Sequence, residues 1–158
     1  MTHEVFAQQI VAMQGTLYRV SSSILPQLCD REDAVQACIE KAWRRRADLR
    51  DDAKLQSWVV RILIHECYQI LRRRKRETPM EAVPEMPAPP GANASLYRFF
   101  SSLPDKLRLP MVLYYLEGYS IAEIGGMLRL PQGTVKSRLA RGREKMKKDR
   151  AFEEVEGL

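Results

Sequence analysis

Residues 77–94 decide the architecture before any helix is considered. They hold five prolines (Pro79, Pro84, Pro87, Pro89 and Pro90), three glutamates and no basic residue. Proline fixes φ and lacks an N–H, so neither a helix interior nor a central strand tolerates such a density. The stretch has no apolar period to bury and reads as an extended, semi-rigid linker. The 158-residue chain therefore divides into modules at 1–76 and 95–158. The first carries 14 basic and 9 acidic residues and the second 12 and 8, so two basic modules flank an acidic tether. Their apolar patterns differ, and no internal repeat relates them.

The second module contains the sharper signal. Ser120-Ile121-Ala122-Glu123-Ile124-Gly125-Gly126-Met127-Leu128 places Ser120 as an N-cap with Glu123 at the capping-box position. Ile121, Ile124 and Leu128 fall on one face, and Pro131 forbids a single continuous helix. A second helix follows, with Val135, Leu139 and Met146 as its buried seam. Two short helices joined by a tight turn predict a DNA-binding helix-turn-helix. Between Arg129 and Arg150 there are nine basic and two acidic residues, a net +7 against +6 for the whole chain. Charge runs on helices are often only solvated faces; its concentration on the second helix, behind a capping box and a turn, favours DNA.

The first module reads as helical throughout. Phe6, Ile10, Met13, Leu17, Val20 and Ile24 step by four and three, which predicts one long amphipathic helix closed by Pro26 and frayed over Ser21–Ser23. Asp30 is the expected N-cap of the next helix, whose inner face is Ala34/Val35, Cys38/Ile39 and Ala42/Trp43. Arg44 to Lys54 lacks a sustained period and reads as a charged loop. A third helix is expected from about Leu55 to Arg76. It ends on Arg72-Arg73-Arg74-Lys75-Arg76, five successive cations that repel one another unless an anion lies against them.

Several function classes recede on composition. No apolar run approaches a membrane span, and no basic-then-apolar leader opens the chain, so a cytoplasmic protein without membrane insertion is expected. Three cysteines with no CxxC pairing do not suggest a metal site; Cys38 and Cys67 lie in apolar helical patterns as buried thiols. His65 and Cys67 are two apart and face different ways on a helix. A nuclease would need clustered carboxylates or a histidine base, and the only histidines are His3 and His65. A ligand-gated repressor would need a dimer interface or a pocket, neither of which is visible. No metal, cofactor or catalytic residue is expected.

Taken in order, the motifs resemble one family. Asp30-Arg31-Glu32-Asp33-Ala34-Val35-Gln36 with Ala42-Trp43-Arg44, then Leu55-Gln56-Ser57-Trp58-Val59-Val60-Arg61-Ile62 and the Arg72–Arg76 run, are similar to region two of extracytoplasmic-function (ECF) sigma factors. Leu103-Pro104-Asp105-Lys106, the helix-turn-helix and Gly133-Thr134-Val135-Lys136-Ser137-Arg138-Leu139 resemble region four. The resemblance implies an all-α fold of two small helical domains, region 2 at 1–76 and region 4 at 95–158, joined by the proline-rich linker 77–94. It implies core RNA polymerase and promoter DNA as partners, and commonly an anti-sigma factor.

The resemblance also implies roles for single residues. Asp33, Gln36 and Glu40 match the polymerase-binding surface. Asp48, Arg50 and Lys54, in the segment that captures a flipped base, match the melted-strand site together with Trp58, Arg61 and His65. Arg72, Arg73, Arg74, Lys75 and Arg76 match the stretch that binds the DNA backbone. Thr134, Lys136, Ser137, Arg138 and Arg141 match the positions that meet the upstream promoter element. Departures from the pattern are Ala37 where an acid is usual, His65 where Asn is common, and Gly125-Gly126 in the helix-turn-helix. The paired glycines suggest a close helix crossing, and Pro110 suggests a kink or a new helix start.

Overall fold

The computed structural model describes residues 1–77 and 85–156, with side chains through Asp149; the linker segment 78–84 lies outside the described residues. The chain forms two compact units, Met1–Met86 and Pro87–Leu158. All regular structure among the described residues is helical.

The first unit holds α1 (His3–Ala12), α2 (Gln14–Ile24), α3 (Leu28–Arg44) and α4 (Leu55–Glu77). The expected long first helix is two helices. Its six periodic apolar residues are all buried, but the backbone breaks at Met13 (φ −93°, ψ 1°), two residues before Gly15. Glycine has the poorest helix propensity in that segment. Thr2 caps α1 by accepting from the Val5 N–H at 3.2 Å.

Ser21–Ser23 do not fray. They are helical and buried, because each hydroxyl donates back to a carbonyl of its own helix: Ser21 and Ser22 to Tyr18, Ser23 to Val20. Self-satisfied hydroxyls can be buried at little cost, which low propensity alone does not reveal. Leu25 is extended ahead of Pro26, as the residue before proline prefers.

Asp30 is not the cap of α3. The helix begins at Leu28, after an extended Gln27, and Asp30 is a buried residue of its first turn. Its carboxylate accepts two hydrogen bonds from Arg74 of α4, at 2.8 and 3.0 Å. Farther along the same two helices Lys41 pairs with Glu66. Between these ion pairs Ala34 and Cys38 are fully buried, as is Ala42 just beyond the second, and small side chains let α3 and α4 approach closely. Arg31 turns the other way. Its guanidinium donates to the carbonyls of Leu25 and Pro26 at 2.8 Å, closing the end of α2, and to that of Glu85 at 3.4 Å. The next residue, Met86, is buried, so the first unit extends past the last turn of α4.

The second unit holds α5 (Ala94–Ser102), α6 (Asp105–Met111), α7 (Ile121–Leu128) and α8 (Gln132–Glu156). Asn93 caps α5 through two backbone N–H groups. Pro110 lies in the last turn of α6, and the chain runs on as a single π-helical turn over Val112–Leu116. The capping box forms in full: Glu123 N–H donates to Ser120 Oγ at 3.1 Å, and Ser120 N–H to the Glu123 carboxylate at 3.0 Å.

Of the paired glycines only Gly125 meets a close contact, and it is with the turn rather than a crossing helix. A Cβ there would stand 3.0 Å from the Leu130 carbonyl oxygen, whereas Gly126 faces open space. A third glycine matters more. Gly142 continues the seam of Val135 and Leu139 and is buried; a Cβ on it would lie 2.5 Å from Met111 Sδ.

Two outcomes follow from this packing. Gly126→Ala should raise stability by about 0.5–1 kcal/mol through helix propensity. Gly142→Ala should lower it, since overpacking costs about 1–3 kcal/mol and exceeds that gain; urea melts of the two variants should bracket the parent. Cysteine reactivity should be equally uneven. Burial, with Glu66 adding to it, pushes the Cys38 thiol up to about 12, and burial raises Cys67 above the usual thiol range, while Cys29 is exposed. Both buried groups stay protonated at pH 8, so Ellman's reagent should titrate one thiol in the native protein and three in denaturant.

Candidate nucleic-acid and polymerase interfaces

Burial of one face of α3 sends the opposite face to solvent. Asp33, Gln36 and Glu40 are exposed and recur at helical spacing along that face, so the three form one stripe, with Glu32 beside it. No described residue pairs with these acids, and the stripe keeps its negative charge beside an otherwise basic module.

The segment between α3 and α4 is more ordered than a charged loop. It contains two 3₁₀ turns, Arg46–Asp48 and Asp52–Lys54. Asp51 caps the second by accepting from the Ala53 N–H at 3.0 Å. Asp48 lies 3.8 Å from Arg45, and Asp48, Arg50 and Lys54 are all exposed. At its entrance Arg46 stacks on Trp43, its guanidinium carbon 3.7 Å from the ring centroid, and donates to the Trp43 carbonyl at 2.8 Å.

From this segment α4 carries an outward stripe. Trp58 is half-buried at its start, followed by the exposed Arg61, His65, Gln69, Arg72 and Arg76 at intervals of three and four. His65 and Gln69 share a 3.2 Å hydrogen bond, so Gln69 joins the predicted set through geometry that spacing alone did not single out. The five-cation run divides in two. Arg72, Arg73, Lys75 and Arg76 are exposed, while Arg74 is bound to Asp30, whose hydrogen bond and charge hold the guanidinium proton more tightly still. Arg74 thus positions the end of α4, and its neighbours supply the accessible charge.

In the second unit the seam Val135, Leu139 and Gly142 fixes the orientation of α8. Lys136, Ser137 and Arg141 are exposed outside that seam, while Thr134 and Arg138 are half-buried. Arg143, Lys145, Lys147 and Lys148 extend the exposed charge toward the C-terminus. Arg129 takes the left-handed conformation (φ 55°) that turns the chain between α7 and α8. The result is a helix whose first two turns present polar side chains together, the geometry by which a major groove is read.

Comparison with known proteins agrees with this division. Residues 10–77 match the family model for sigma-70 region 2, and residues 93–146 match that for sigma-70, region 4. The ECF RNA polymerase sigma factor SigM of Mycobacterium tuberculosis is 35% identical over 122 residues, 74% of this chain; the chain spans 62% of the length of that relative. The ECF RNA polymerase sigma-E factor of Escherichia coli K12 is 30% identical over 161 residues, covering 89% of this chain and 84% of its own length. Among solved structures, the sigma factor RpoE of Bartonella quintana, co-crystallised with the anti-sigma factor NepR, superposes with a TM-score of 0.79 at 25% identity, over 92% of this chain and 96% of its own. With both regions matched in order and a relative aligned over most of its length, the chain belongs to the ECF family of RNA polymerase sigma factors.

Proposed function

We infer that this chain is a promoter-specificity subunit: it binds core RNA polymerase, directs it to particular promoters and helps open them. The observation that carries the reading is the presence of two exposed basic surfaces on separate compact units, the stripe of α4 and the outward face of α8. A sigma factor forms and breaks no covalent bond. It supplies a free-energy difference between promoter and bulk DNA.

In this reading Lys136, Ser137 and Arg141 meet base edges of the upstream element, with Thr134 and Arg138 placed for phosphates. Asp48, Arg50, Lys54, Trp58, Arg61 and His65 hold unstacked bases of the melted strand, which a duplex binder alone cannot do. Arg72, Arg73, Lys75 and Arg76 follow the backbone, and Asp33, Gln36 and Glu40 bind the polymerase. Modules 1–76 and 95–158 act through the proline-rich tether 77–94, which makes the second contact intramolecular once the first has formed. Each module can then be weak, and free protein should bind promoter DNA poorly.

The protein is expected to act in the cytoplasm; among the described residues no helix is long and apolar enough to cross a membrane. An anti-sigma factor as a further partner is supported by the RpoE structure, which holds one. Co-purification with core polymerase, followed by run-off transcription from a mixed promoter library, tests the whole reading. A chain that neither binds core nor selects a template would refute it.

Asp33→Lys combined with Gln36→Ala should reduce core-polymerase pull-down and leave the thermal melt unchanged, because both side chains are exposed. Equal recovery would mean the stripe is only surface. Arg141→Ala should change base preference in the selected promoters, by about 1–3 kcal/mol at the affected position if the contact is bidentate. Lys147→Ala or Lys148→Ala should instead weaken binding roughly evenly across sequences and flatten its salt dependence. An unchanged library profile for Arg141→Ala would remove that face from base reading.

A further inference from the structure

Arg46 opens the segment that the proposed function assigns to melted-strand capture, and as an exposed cation it would pass for one more phosphate contact. Its surroundings argue otherwise. The guanidinium is occupied on its flat face by Trp43, 3.7 Å away, and at Nη1 by the Trp43 carbonyl at 2.8 Å. That carbonyl belongs to the last turn of α3, where backbone oxygens lack helical partners and the helix dipole favours a cation.

Trp43 is itself held. The ring of His3 meets it edge-on, with centroids 5.1 Å apart and planes at 89°, and Phe6 packs at 5.2 Å and 55°. Phe6 is 4% exposed, so the first turns of α1 form a fixed seat under the indole. The 3₁₀ turn begun by Arg46 then closes with Asp48 N–H donating to Arg45 O at 2.8 Å, and Leu49 N–H to Arg46 O at 3.2 Å. The direction in which Asp48 and Arg50 leave the helix is thus set at one residue.

We propose that Arg46 is a positioning residue for strand capture: stacked on Trp43 and bonded to its carbonyl, it orients the segment 46–54 and couples it to α1. The inference rests on the capture role given to that segment above. It assigns Arg46 no phosphate, and it gives α1 a task that its apolar period does not disclose.

The test uses holoenzyme and a fluorescein-labelled fork-junction oligonucleotide, cut from the best template of the run-off library with the downstream element unpaired. Arg46→Ala should weaken binding about two- to fivefold, the size of an exposed cation–π contact, without changing the slope of log affinity against log salt. Trp43→Leu, which removes no charge, should produce the same loss. The double variant should be no weaker than either single one, since both break one contact.

A phosphate role predicts differently: the slope should fall by about 0.7 for one lost single-strand contact, and Trp43→Leu should bind normally. Either result overturns the proposal. If Trp43→Leu fails to fold by circular dichroism, Trp43→Phe takes its place, and its weaker ring should give a smaller loss than Arg46→Ala. Arg50→Ala and Lys54→Ala separate the two levels of the argument. If both weaken binding while Arg46→Ala and Trp43→Leu do not, the positioning role fails and strand capture stands. If none of the four has an effect, strand capture by this segment fails, and the positioning role with it.

Discussion

Close packing of α3 on α4 is the constraint from which the first unit takes its form. Ala34, Cys38 and Ala42 bring the two backbones together, and charged pairs hold the seam at both ends, Asp30 with Arg74 and Lys41 with Glu66. A purely apolar seam would fix distance better than register, because hydrophobic burial is nondirectional. A bidentate carboxylate–guanidinium pair is directional and fixes rotation and offset as well. Register matters because the outward faces of the same helices carry opposite chemistry: acids and an amide on α3, cations on α4. Rotating either helix by one residue would turn about 100° of that pattern away.

The second unit solves the same problem with no ion pair between helices among its described residues. Its recognition helix is oriented by shape: Gly142 accepts the Met111 side chain, Gly125 lets the Leu130 carbonyl fold close over α7, and the capping box starts α7 at a defined residue. This leaves the basic residues of α8 free of structural duty. Among Lys136, Arg138, Arg141, Arg143, Lys145, Lys147 and Lys148, no side chain has an ion-pair partner within the described residues. Unpaired cations at this density keep their full attraction for a polyanion. In the proposed role the first unit spends some of its charge on internal geometry, and the second keeps nearly all of it for DNA.

Much of this was legible in the sequence because it depends on local pattern. The apolar period of the first segment located its buried residues, Ser120 and Glu123 declared their cap, and Pro26 and Pro131 fall between helices as proline must. Two of the misreadings turn on a partner far away in sequence, and a third on hydroxyls satisfied within their own helix. Asp30 looked like a cap from its neighbours and proved to be the acid of a pair 44 residues apart. Ser21–Ser23 looked like a fraying end, since propensity does not count burial against other helices. Gly142 went unnoticed because only Met111, on another helix, makes its missing Cβ necessary.

The cation run at the end of α4 shows how far this reaches into function. Five adjacent basic residues are equivalent in a charge count, and all five invite the same assignment to the DNA backbone. On a helix they cannot all point the same way, since successive side chains are about 100° apart. Arg74 is the one that reaches Asp30; Arg72, Arg73, Lys75 and Arg76 remain outside. Exchanging any of those four for a neutral residue subtracts charge from the outer surface alone. Exchanging Arg74 leaves a buried carboxylate without its guanidinium and loosens the helix that presents the rest. Loss of DNA binding in such a variant would therefore report on the orientation of α4 as much as on any phosphate, and a salt slope that stays constant is what distinguishes the first from the second.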